Sequence, residues 1–173
     1  MSTKIQWTDE TWNPVRGCSL VSAGCANCYA MKQAHRFGGT DKPYEGLTEI
    51  GPQGPRWTGK IRLVPEALWE PLHWKTPRRI FVNSMSDLFH KDVPDHFLAQ
   101  VGEVIQQAQR FGHTFQILTK RPQRMRDYLQ KNGRTPLHNA WFGVSVEDQA
   151  TADERIPLLL QTPAATRFIS VEP

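Results

Sequence analysis

The feature that most constrains this chain is a regular alternation of short apolar runs and helical stripes after residue 78. Residues 79–83 (Arg-Ile-Phe-Val-Asn) are β-rich and short enough for a buried strand. A helix start follows, with Asp92 as expected cap, Pro94 in the first turn and Asp95 near the positive helix end. Phe97, Leu98, Val101, Val104, Ile105 and Ala108 then recur at helical spacing, and Gly112 is placed to end that helix. The cycle repeats. Residues 114–119 read as a strand, and a helix opens at Pro122, carries Met125, Tyr128 and Leu129, and closes at Asn132-Gly133. Residues 141–146 read as the next strand. Asp148 caps a helix running to about Arg155, where Pro157 is expected to interrupt it, and residues 167–171 form the last strand. Such strand–helix–strand order implies a parallel sheet with right-handed crossovers.

Residues 1–78 lack this alternation. They are irregular, rich in Trp, Gly and Pro, and carry all three cysteines. A strand around residues 11–16 is expected to run straight into those cysteines. Residues 59–64 read as a short strand or a hairpin arm. With 173 residues the two parts make one α/β domain with one sizeable core. No apolar run approaches the roughly 20 residues that span a bilayer, and the first residues lack a signal peptide's apolar segment. A cytoplasmic protein with no membrane partner is the expectation.

The three cysteines, Cys18, Cys25 and Cys28, are spaced C-x6-C-x2-C, and none occurs later. An odd, clustered set argues for metal rather than a disulfide framework. The two-residue gap lets Cys25 and Cys28 face one centre, while Gly17 and Gly24 relieve crowding beside it. Three chemistries fit the spacing. One is a four-iron cluster with three protein thiolates, leaving one iron open to a small molecule. Another is structural zinc completed by His35 as a Cys3His set. The third is redox work by a thiol pair.

Active sites of parallel α/β folds gather at the carboxyl ends of strands. The polar residues expected there are Asn83, Ser84 and Asp87, then Lys120 and Arg121, then Ser145 and Glu147, then Ser170 and Glu172. Asp87 also fits the cap of a short turn through Leu88 and Phe89, and Arg121 reads more simply as an ordinary basic loop residue. His90, His96 and His113 are scattered and suggest no site. Six tryptophans and a formal charge of +4 permit a nucleic-acid partner, with rings interleaved among Arg and Lys. Core packing is the simpler role for most of those rings.

Residues 11–18 (Thr-Trp-Asn-Pro-Val-Arg-Gly-Cys) and 25–30 (Cys-Ala-Asn-Cys-Tyr-Ala) resemble the signature of phage-associated three-Cys-motif proteins, a family similar to the radical S-adenosylmethionine superfamily. The resemblance continues through residues 81–90, 117–122, 143–148 and 168–173, in the expected order. It departs in the six-residue gap after Cys18, where the superfamily has three, and in Asn27, where an aromatic residue is frequent. The resemblance implies a partial (β/α) barrel of the radical type, lacking a final strand that relatives carry beyond the Ser-Val-Glu-Pro motif. It implies a [4Fe–4S] cluster on Cys18, Cys25 and Cys28. It also implies S-adenosylmethionine bound through Asn83, Ser84, Asp87, Lys120, Ser145 and Glu147. The substrate is then unknown, with nucleic acid or a modified nucleotide as candidates. An uncovered sheet edge invites a partner protein or a second copy. The competing expectation is a non-catalytic, zinc-stabilised nucleic-acid-binding or phage accessory protein.

Overall fold

The computed structural model describes residues 5–132 and 136–172. Strands β1 (Glu10–Trp12) and β2 (Val15–Arg16) precede a single turn of 3-10 helix at Ala23–Asn27 and helix α1 (Tyr29–Arg36). A hairpin of β3 (Thr48–Gly51) and β4 (Gly54–Trp57) follows, then β5 (Arg62–Leu63). The regular part runs β6 (Arg79–Val82), α2 (Asp95–Ala108), β7 (Thr114–Thr119), α3 (Pro122–Lys131), β8 (Ala140–Val146), α4 (Gln149–Leu160) and β9 (Thr166–Val171).

Strands β1, β6, β7, β8 and β9 form one parallel sheet in that order. Among the described residues the sheet does not close into a barrel, so the coarse expectation of a partial α/β fold holds. Period-two alternation divides its faces. One set, including Trp12, Ile80, Val82, Phe115, Ile117, Phe142 and Val144, joins the main core with Val101, Val104 and Ile105 of α2 and Leu159 of α4. Burying such a stripe contributes about 1.5–3 kcal/mol per large side chain. No helix of the described residues is long and apolar enough to cross a membrane.

The elements depart from expectation at three points. The first strand breaks at Asn13-Pro14: β1 pairs with β6, whereas β2 leaves the sheet and pairs antiparallel with β5. Pro14 has no N–H to continue a ladder. The residue 59–64 segment thus does form a hairpin-like arm, through Arg62 and Leu63. Asp92 does not cap α2; Pro94 holds the N-cap position without a side-chain bond, and Asp95 occupies the first turn. Helix α4 passes through Pro157 to Leu160, because the hydrogen bonds resume beyond it, Gln161 N–H donating to the Pro157 carbonyl at 3.3 Å. Its start is as expected, with Asp148 and Thr151 forming a reciprocal capping box. Gly112 ends the second helical segment at φ +72°, while Gly133 lies outside the described residues.

Candidate functional site at the carboxyl ends of the strands

The site begins with a turn at the end of β6. Asn83 adopts φ +60°, a left-handed conformation that Asn tolerates. Its Oδ1 accepts from Val15 N–H at 3.3 Å, yet its buried Nδ2 has no hydrogen-bond partner among the described residues. Asn13 Oδ1 accepts from Ser84 Oγ (3.2 Å) and Met85 N–H (3.1 Å), tying the ends of β1 and β6 together.

Asp87 is the hub of the next layer. It caps the following turn by accepting from Phe89 N–H (2.9 Å), and it also accepts from Thr119 Oγ1 (2.8 and 2.9 Å) and Lys120 N–H (3.1 Å). Arg121 Nη1 completes the shell at 3.0 Å. The turn-capping role is therefore realised, and the carboxylate has little capacity left for a ligand.

Arg121 carries the organisation to the cysteines. Its Nη1 lies 3.7 Å from Cys18 Sγ, and its Nη2 donates to the carbonyl (2.9 Å) and hydroxyl (2.8 Å) of Ser19. Ser19 Oγ in turn sits 2.8 Å from His90 Nε2. Burial pushes the Cys18 thiol up to about 12, with the Asp87 charge adding and Arg121 opposing. A thiol so placed stays protonated unless a cation compensates for the burial. Arg121 is the residue that sequence reasoning undervalued. Its signal lay only in position, directly after a strand and before the helix-opening Pro122.

A second charge cluster lies under the Cys25 turn. Lys120 Nζ bridges Glu147 Oε1 (3.0 Å) and Glu172 Oε2 (2.8 Å). Glu147 also accepts from Ser22 Oγ (3.0 Å) and pairs with Arg155 (3.2 Å), while Ser145 Oγ donates to Glu172 at 3.2 Å. Burial lowers the Lys120 ammonium, but Glu172 and Glu147 outweigh it and the net shift is upward. Gly24 is required here: a Cβ would stand 2.3 Å from Glu147 Cγ.

These parts enclose one cavity of about 350 Å³. Cys18, Cys25 and Cys28 all line it, as do Asn83, Ser84, Asp87, Lys120, Ser145 and Glu172. Glu147 does not line it and acts behind Lys120. Trp7 and Phe81 add aromatic lining, their rings 4.7 Å apart, so Trp7, one of the rings expected either to stack bases or to fill the core, borders the cavity. Trp12 is buried in the main core, while Trp57 packs in the smaller core and also lines the cavity.

Among the described residues no three His, Cys, Asp or Glu side chains converge on a point fit for one metal ion. A single zinc needs its sulfur ligands about 2.3 Å from one point. A four-iron cluster takes each thiolate on a different iron, so its three sulfurs stand apart around a cavity. His35, the expected fourth zinc ligand, is exposed on α1, bonded to Thr48 at 3.3 Å, and does not line the cavity.

A family model matches residues 2–173. The chain belongs to the DUF5131 family. That family is described as a protein of unknown function, and neither the curated proteins nor the solved structures gave a match to the chain.

Proposed function

We propose that this DUF5131 member is a radical S-adenosylmethionine-type enzyme, with a [4Fe–4S] cluster on Cys18, Cys25 and Cys28. The supporting observation is that three cysteines, with no fourth in the chain, share one cavity with polar groups from the ends of four parallel strands. The fit is chemical as well as positional. All three cysteines line the cavity, and its wall includes Asn83, whose buried Nδ2 has no hydrogen-bond partner among the described residues.

When bound, such a cluster supplies an electron and an open coordination position for the amino and carboxylate groups of the cofactor. The protein's own residues then have distinct tasks. Asn83 Nδ2 is a donor, so it suits the cofactor carboxylate rather than the amino group. Ser84 sits beside it. Ser145 and Glu172 offer a hydroxyl and a carboxylate for ribose hydroxyls, with Lys120 holding Glu172 in place. Glu147 fixes Lys120 from behind, and Asp87 holds Arg121 against the Cys18 loop. Trp7, beside Phe81, offers the adenine an exposed apolar ring. The reading as a zinc-stabilised accessory protein would need His35 at the cavity.

The test is anaerobic purification with metal and sulfide analysis. The expected result is about four irons per chain, a broad brown absorbance that fades in air, and no effect of His35→Ala. Stoichiometric zinc, lost in His35→Ala, would overturn the proposal.

A further inference from the structure

A second cavity, of about 700 Å³, adjoins the cysteine cavity and shares Ile5, Tyr29 and Ser84 with it. Tyr29 forms the partition, its hydroxyl donating to the Ser84 carbonyl at 2.8 Å. Helix α1 presents Tyr29, Gln33 and then Phe37 to this space at four-residue intervals, which places them on one face. Tyr29 and Phe37 are 50% and 47% exposed, so these rings do not serve the core. Opposite them stand Asn13, Arg16, Tyr44 and Glu70. The Arg16 guanidinium lies 5.7 Å from the Tyr44 ring centroid and makes no hydrogen bond or ion pair among the described residues.

We infer that this groove binds single-stranded nucleic acid and leads it to the cysteine cavity. Exposed ring faces suit unstacked bases, which all present a π-surface. Side-chain amides at Asn13 and Gln33 suit base edges, which both donate and accept. Arg16 suits a phosphate, and Lys32 and Arg36 of α1 flank the Tyr29–Gln33 face, set against Glu70 as a lining carboxylate. An acidic peptide would use the cations but leave the rings and amides idle. The formal charge of +4 agrees with a polyanionic ligand. Delivery to the cysteine cavity rests on the proposed function; binding in the groove does not.

Fluorescence anisotropy with a short labelled single-stranded oligonucleotide, on anaerobically purified full-length protein, tests the binding. Saturable binding is expected, weakened roughly five- to 150-fold in Phe37→Ala and in Tyr29→Ala. Arg16→Gln is expected to reduce the logarithmic salt slope by about 0.7. Ile50→Ala, an exposed apolar residue on the β3–β4 hairpin, serves as the control and is expected to match the parent. Tyr29→Phe separates the ring from its bond to Ser84 and is expected to retain binding. No saturable binding by the parent would overturn the inference. So would parent-like binding in both ring variants, or equal competition by an acidic peptide. Iron and sulfide analysis of the same preparations keeps the two proposals apart, since a protein that binds the oligonucleotide yet assembles no cluster breaks only the earlier one.

Discussion

Residues 79–132 and 136–172 are ordered by periodic apolar side chains around a large core, whereas residues 5–78 combine scattered apolar contacts with that core and many side-chain hydrogen bonds to backbone. In the second half Phe97, Val101, Val104 and Ile105 pack α2 onto the sheet. The first half has a small core around Ala30, Met31, Ala34, Tyr44, Leu47 and Trp57. Much of its shape comes from polar ties: Arg62 to the Pro43 and Glu45 carbonyls, Thr58 to Gly46 and Leu47, and Trp12 Nε1 to the Ala67 carbonyl. The difference teaches how labour is divided. The regular half supplies a rigid row of strand ends, and the irregular half drapes the cysteine loop across them.

The largest expected effect breaks the two halves apart chemically. Replacing Cys25 with Ala should abolish iron incorporation, since two thiolates do not hold the cluster. Far-ultraviolet circular dichroism should stay unchanged, because the helices of the regular half do not depend on that sulfur. Full iron content in the variant would show that the cavity's cysteines are not the ligands.

Next in size is the joint between the halves. Asp87→Ala removes the carboxylate that receives Arg121, Thr119 and two backbone N–H groups. Arg121 would remain, largely buried and uncompensated. Breaking such a pair costs about 3–5 kcal/mol, and for a chain of this size the melting temperature should fall by roughly 10 °C. A thermal melt within a degree or two of the parent would mean that the Cys18 loop is held by Ser19 and the strand ends alone.

Residue by residue, legibility follows the same division. The strands and helices after residue 78 were readable because periodicity is local. The extra length of α4 was not, because whether Pro157 ends a helix depends on the packing of its flanks. Cys18, Cys25 and Cys28, together with Asn83, Lys120 and Ser145, could be assigned to one cavity from strand-end positions alone. The link from Asp87 through Arg121 to Ser19 and His90 could not. It joins four segments whose side-chain directions are set by the fold, and nothing in the local sequence encodes their meeting.

A smaller effect tests the irregular half's backbone. Gly17 sits at φ +85°, and a Cβ there would stand 2.4 Å from the Lys60 carbonyl oxygen. Left-handed backbone and overpacking together should cost about 2–3 kcal/mol in Gly17→Ala. Chemical denaturation should show this as a lower midpoint with an unchanged slope. A midpoint equal to the parent's would mean that the β2–β5 arm shifts freely, and that the irregular half is less fixed than its hydrogen bonds indicate.

The smallest effect is a pH dependence, because influences of opposite sign act on Glu147. Burial raises its carboxyl, while the hydrogen bond and charge of Lys120, the Ser22 hydroxyl and Arg155 lower it, and the net result lies below the ordinary 4.5. A carboxyl whose folded-state pKa is depressed contributes stability at pH above its unfolded value. That contribution is lost as pH falls through the folded-state value. The parent should therefore lose stability in acid more steeply than Glu147→Gln, which should be less stable near neutrality and converge with the parent below the ordinary carboxylate range. Other lowered carboxyls, at Asp9, Asp127 and Asp148, titrate alike in both proteins. The informative quantity is thus the difference between the two stability curves, measured by denaturant unfolding from about pH 7 to about pH 3. Parallel curves would show that Lys120 relies on Glu172 rather than Glu147. The Cys25 turn would then rest on its own backbone bonds, Cys25 N–H to the Ser22 carbonyl and Cys28 N–H to the Cys25 carbonyl, more than on the Ser22 contact with Glu147 at the end of β8.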